Sequence, residues 1–130
     1  MPVRSLNSSV FKWPDVQTVR KAVCCWAEAT ARTHPDVMRV GYIGSYARGD
    51  WGVGSDLDLV VIVAHSEEPF WRRGLGWDLS LLPVPADLLI YTQEEWQTLV
   101  TQGGKFPETV EREAIWIYER AADDTRPSSQ

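Results

Sequence analysis

The run Asp56-Leu57-Asp58-Leu59-Val60-Val61-Ile62-Val63-Ala64 constrains the chain more than any other stretch, because it sets two carboxylates at the mouth of an apolar segment. Leu57 to Ala64 is rich in β-branched residues and reads as a strand, as does Val37 to Ile43 before it. Asp56 and Asp58 lie two apart, so on an extended chain both side chains leave the same face, roughly 6.5 to 7 Å apart. Leu57 points the other way. Carboxylates are depleted in strands, and burial of this one leaves two anions repelling each other in a poor dielectric. A divalent cation is the simplest remedy.

The glycine-serine break at Gly44-Ser45, between the two strands, adds a geometric condition. For the turn after the first strand to meet Asp56 and Asp58 at the start of the second, the two strands must run antiparallel. A third short apolar run, Ala86 to Tyr91, also opens with a carboxylate, Asp87. To join the cluster its strand must be parallel to the second, and the roughly twenty residues between them suffice for a crossover. Trp71, Leu75, Leu79 and Leu82 form a stripe that predicts a helix there, weakened by Gly74 and Gly76. The fold class expected is α/β: a small mixed β-sheet with helices packed mainly on one face.

The remaining segments fit around that sheet. Asp15 is placed to cap a helix in which Val16, Val19, Val23, Trp26, Ala27 and Thr30 recur at helical spacing, and Pro35 closes it. Trp26 reads as core. Thr92-Gln93-Glu94-Glu95 has the form of a capping box, opening a helix to about Thr101. After Gly103-Gly104 a short helix is expected over Phe106 to Glu113, then a final strand over Ala114 to Tyr118. A single domain over 1–122 follows, with a polar tail, 123–130, expected to be disordered.

Composition excludes several classes. At 44% hydrophobic and 24% charged the chain is globular, and no apolar run reaches the length of a membrane span. Met1 to Trp13 carries polar residues where a signal peptide needs an apolar stretch, so the expected location is the cytoplasm. Adjacent Cys24 and Cys25 in a helical pattern cannot join each other without strain, and with His34 and His65 they make no zinc spacing. A net charge of -5 argues against general nucleic-acid binding. Gly41, Gly44 and Gly49 miss the Rossmann spacing, and Gly103-Gly104-Lys105 precedes Phe106 where a P-loop requires Ser or Thr.

Gly44-Ser45, the ten residues Tyr46 through Ser55, then Asp56-Leu57-Asp58 resemble the nucleotidyltransferase signature of the DNA polymerase β superfamily. Ala47-Arg48-Gly49 and Ser55-Asp56-Leu57-Asp58-Leu59 further resemble its minimal nucleotidyltransferase branch, found beside HEPN-domain proteins, and the similar pattern extends from about Val16 to Tyr118. Nucleotidyl transfer asks for two cations about 3.5 to 4 Å apart, and three carboxylates can hold them. The resemblance implies that Asp56 and Asp58 hold both ions, while Asp87 ligates the catalytic ion and takes the proton of the attacking hydroxyl. Oxygen ligands without Cys or His favour magnesium or manganese.

Gly44 lets backbone amides approach phosphate and Ser45 adds a hydroxyl; Ser55 joins them in the nucleotide-binding set, and Arg48 is placed in that set to complement phosphate charge or else is simply solvated in its loop. The resemblance further implies transfer of AMP from ATP, with no acceptor domain of its own, and an antitoxin whose acceptor is a tyrosine of a HEPN-family ribonuclease toxin. Two rivals stand beside this. One is an adenylyltransferase acting on a small hydroxylated molecule, a homodimer completing the pocket; the other is a non-catalytic antitoxin that acts by occlusion. Whether the assembly is a homo-oligomer or a hetero-oligomer is left open. Trp51 is placed either to stack on a base or to anchor its loop, and Arg72 and Arg73 either rim a partner surface or lie on a solvated helix face.

Overall fold

In a computed structural model of the protein, which describes residues 14–120, the Asp15 carboxylate accepts the Thr18 backbone N–H at 2.9 Å and starts helix α1, Val16–Thr33. Val19, Val23, Trp26, Ala27 and Thr30 are its buried residues, one stripe of a 3.6-residue period. His34, held non-helical ahead of Pro35, ends it. There follow strand β1 (Val37–Ile43), the single-turn helix α2 (Ser45–Arg48), β2 (Leu57–Val63), β3 (Ala86–Thr92), α3 (Gln93–Gln102), α4 (Lys105–Glu113) and β4 (Ile115–Glu119). Thr92 and Glu95 make the reciprocal capping box at the start of α3. The 123–130 tail lies outside the described residues, as does Met1 to Trp13.

The four strands form one mixed sheet in the order β3-β2-β1-β4. β1 and β2 are antiparallel with Ile43 opposite Asp58, and β2 and β3 are parallel with Asp58 beside Asp87, the directions that the carboxylate geometry required. β4 returns antiparallel along the other side of β1.

Alternation along β2 divides the core in two. Leu57, Leu59, Val61 and Val63 pack with the buried stripe of α1, whereas Val60 and Ile62 point to the opposite face, toward Trp96 of α3 and Val110 of α4. The larger core and the long helix therefore occupy one face, and the two short helices cover part of the other. A fully buried Leu or Val side chain contributes about 1.5 to 3 kcal/mol, so β2, buried on both faces, anchors the sheet. Asp58 shares the face of Val60 and Ile62 at the end where that cover stops. Cys24 and Cys25 are free thiols.

One expected element is absent. The crossover from β2 to β3 holds a 3₁₀ turn, Phe70–Arg72, and successive turns in place of a helix. Gly76 adopts φ +86°, outside the right-handed helical region, and Pro83 and Pro85 bar continuation. The apolar stripe is real but splits: Leu79 and Leu82 pack on the core, while Trp71 and Leu75 are exposed. Tertiary contacts hold the crossover instead. Trp26 Nε1 donates to the Asp78 carbonyl at 2.8 Å, and Trp77 stacks on His34 at 4.2 Å between ring centroids. Arg73 is buried, donating through both terminal nitrogens to Glu95 at 2.5 and 2.8 Å and further to the carbonyls of Glu68 and Ile90.

Candidate active site

β2 and β3 bring Asp58 and Asp87 side by side because their chains enter the sheet in the same direction and in register. Neighbouring strands lie about 4.8 Å apart, so the two carboxylates leave one face of adjacent strands. Asp56 precedes β2 by one residue and is exposed, as is Asp87; Asp58 is half-buried. Burial raises the Asp58 pKa above the ordinary carboxylate value, the charge of Asp87 and then that of Asp56 add to the rise, and Arg48 opposes it. Asp58 thus feels the charge of both other carboxylates.

Gly44 closes the other side. It sits at φ 84° and ψ -155°, a region open essentially to glycine alone, and a Cβ there would lie 2.5 Å from Asp58 Oδ2. The backbone of the Gly44-Ser45 turn is therefore pressed against the Asp58 carboxylate. The Gly44 carbonyl accepts the amides of Ala47 and Arg48, winding α2 with Ser45 half-buried at its start.

The other two residues of the expected nucleotide set are engaged within the protein. Arg48 Nε donates to Asp50 Oδ2 at 3.1 Å and Nη1 to Glu113 Oε1 at 3.5 Å. The Ser55 hydroxyl accepts the Gly52 amide at 2.8 Å and the Ser55 amide donates to the Gly52 carbonyl at 2.9 Å, which ties the loop just ahead of Asp56. Trp51 stacks on buried Tyr46, with ring centroids 5.7 Å apart and planes 11° from parallel, and packs against the main core, so it anchors its loop. Arg73 rims no surface; it is the buried member of the Glu95 pair, while Arg72 pairs with Glu68 on the exterior at 3.2 Å. Glu113 escaped the sequence reading. It stands 65 residues from Arg48, and no local pattern distinguishes it from the other acidic residues of α4.

Among the described residues no three Asp, Glu, His or Cys side chains are already gathered as a metal-holding group. The donor set nevertheless suits a hard cation: oxygen only, three anions on adjacent strand starts, and one carboxylate, Asp58, whose pKa burial raises first and the charges of Asp87 and Asp56 raise further.

The family model described as Nucleotidyltransferase domain matches residues 26–117, a span that contains the turn, all three aspartates and the four strands apart from the last residues of β4. The chain belongs to the nucleotidyltransferase domain family. The fold of that family is also seen in solved structures. A presumed nucleotidyltransferase from Sulfolobus solfataricus superposes with a TM-score of 0.59 at 18% identity, over 81% of this chain and 84% of that one. A toxin-antitoxin structure with AMP-PNP gives 0.55 at 21% identity, over 78% and 77% of the two chains. A toxin-antitoxin MntA-HpeT mutant gives 0.50 at 20% identity, over 76% and 73%. No curated protein matches the chain. The candidate site in this nucleotidyltransferase domain lies where β1, α2, β2 and β3 meet, and Arg48 of α2 contacts Glu113 at the end of α4.

Proposed function

We propose that this nucleotidyltransferase transfers AMP from ATP to a hydroxyl, the acceptor oxygen bonding to the α-phosphorus as the α–β phosphoanhydride breaks and pyrophosphate leaves, and that the acceptor is a tyrosine of a HEPN-family ribonuclease toxin, which the transfer silences. The observation that carries the chemistry is the pairing of Asp58 with Asp87 in register on adjacent strands, with the Gly44 turn against the Asp58 carboxylate. The acceptor class is supported by the Ala47-Arg48-Gly49 and Ser55 to Leu59 resemblance to the minimal branch, and by structural likeness to toxin-antitoxin proteins, one of them with AMP-PNP.

In this reading Gly44 and Ser45 receive the polyphosphate through backbone amides and a hydroxyl, and Arg48 offsets its charge. Asp56, Asp58 and Asp87 would hold magnesium, or manganese in its place. Such ions, when bound, neutralise the polyphosphate and acidify the acceptor hydroxyl. β3 is an edge strand, so Asp87 is exposed on the side from which a macromolecular acceptor can approach, and its carboxylate accepts the tyrosine proton. An unperturbed tyrosine has a pKa of about 10, so that proton must leave as attack proceeds.

Incubation with ATP, magnesium and the candidate toxin, followed by intact-mass measurement, tests the reading. A toxin mass gain in multiples of AMP is expected. Asp87→Asn keeps the side-chain size, so ATP and toxin binding should persist while transfer falls by about two to four orders of magnitude, the worth of a positioned proton acceptor. Neutralisation of the toxin in cells by Asp87→Asn at wild-type level and matched expression would show occlusion instead.

A further inference from the structure

We propose that Glu113 is a positioning residue for nucleotide binding: with Asp50 it holds the Arg48 guanidinium beside the carboxylate end of the sheet, oriented for phosphate before the nucleotide arrives. The inference rests on the nucleotidyl-transfer reading. Glu113 is the last residue of α4, and β4 begins two residues later with Ile115 paired to Tyr42, so the chain path delivers Glu113 beside the Ile43-Gly44 end of β1. Its side chain is 19% exposed, against 47% for Arg48 and 60% for Asp50, so it is the least mobile of the three, although its contact with Arg48, at 3.5 Å, is longer than the 3.1 Å contact of Asp50.

A guanidinium presents five N–H groups in a planar fork. The two pairs engage Nε and Nη1, and Nη2 lies outside them. Exposed ion pairs of this length contribute little to folding, so stability does not account for two further carboxylates converging on one arginine beside three aspartates. Preorganisation does. A long side chain ordered in advance loses less freedom when the ligand binds, an effect of about two- to tenfold in affinity.

The test is ATP binding with magnesium, measured by calorimetry on wild type, Glu113→Gln, Arg48→Ala and the double variant. Glu113→Gln should weaken ATP binding about two- to tenfold, and should add no further loss once Arg48 is Ala, a non-additivity that a general structural role for Glu113 would not produce. Wild-type affinity in Glu113→Gln, or the same loss in both backgrounds, overturns the inference while leaving nucleotidyl transfer standing. Absence of ATP binding by wild type overturns the transfer reading, and this inference with it. Thermal unfolding confirms that each variant is folded; should Glu113→Gln fail to fold, Glu113→Asp, one methylene shorter, takes its place in the same cycle.

Discussion

A methyl group at position 44 would meet the Asp58 carboxylate at 2.5 Å on a backbone already at φ 84°. Two effects combine in Gly44→Ala. Forcing an L-residue into this region costs about 1 to 3 kcal/mol, and relief of the clash moves the carboxylate that the site needs. We expect a lower urea midpoint together with a loss of transfer of about 100-fold, since a 1 Å misplacement is enough for that. Stability lost without loss of transfer would separate Gly44 from the site. Asp58 itself carries the opposite sign. Its raised pKa means that the folded chain binds a proton more readily than the unfolded one, so the metal-free protein gains stability as pH falls through that titration. Asp58→Asn should therefore raise the metal-free melting temperature slightly, a small effect because the charge is screened by solvent, while abolishing transfer. A lower melting temperature would mean that the carboxylate is favourably paired in the fold.

At the scale of elements, the crossover between β2 and β3 is held by specific polar contacts in place of helical periodicity. Glu95 supplies one of them, receiving the buried Arg73 fork, and at the same time closes the capping box with Thr92 at the start of α3. The hydrogen bonds from Arg73 hold its pKa down to about 2 from the ordinary 4.5. A depressed carboxylate pKa stabilises the fold above the unfolded value, and that contribution is lost as pH falls from about 4.5 toward 2. Glu95 remains partly solvated, so the effect is discounted to about 1 kcal/mol. Glu95→Gln should be less stable than wild type at pH 7 and should lose the difference near pH 2. Denaturant titration at the two pH values measures it, and parallel stability curves for the two proteins would remove the pair from the account of the crossover.

For the whole molecule, nucleotide and cation should stabilise the fold by mass action because the site is assembled from β1, α2, β2 and β3 and has no counterpart in the unfolded chain. At ATP and magnesium concentrations about 100 times the dissociation constant, the gain is about 2.7 kcal/mol. Melting temperature should rise with ATP plus magnesium and return on chelation. An unchanged melting temperature at saturating ATP would show that the carboxylates hold no nucleotide-bound cation.

Strands, caps and carboxylates were legible in the residues alone because their signals are local. β-branched runs marked β1 and β2, Asp15 and the Thr92 to Glu95 box announced helix starts, and Asp56, Asp58 and Asp87 at strand entrances dictated one antiparallel and one parallel pairing. Only tertiary structure decided what the intervening residues do. A stripe over Trp71 to Leu82 has helical period, yet Trp26 takes the Asp78 carbonyl from 52 residues away and Trp77 stacks on His34, contacts that hold a path which no periodicity describes. Trp51 had two open roles until Tyr46 proved to be beneath it, and Arg48 acquired Glu113 because β4 pairs with β1 at the far end of the chain. Such partners follow from which strands lie side by side, and side-chain chemistry read along one dimension carries no information on that adjacency until the sheet is closed.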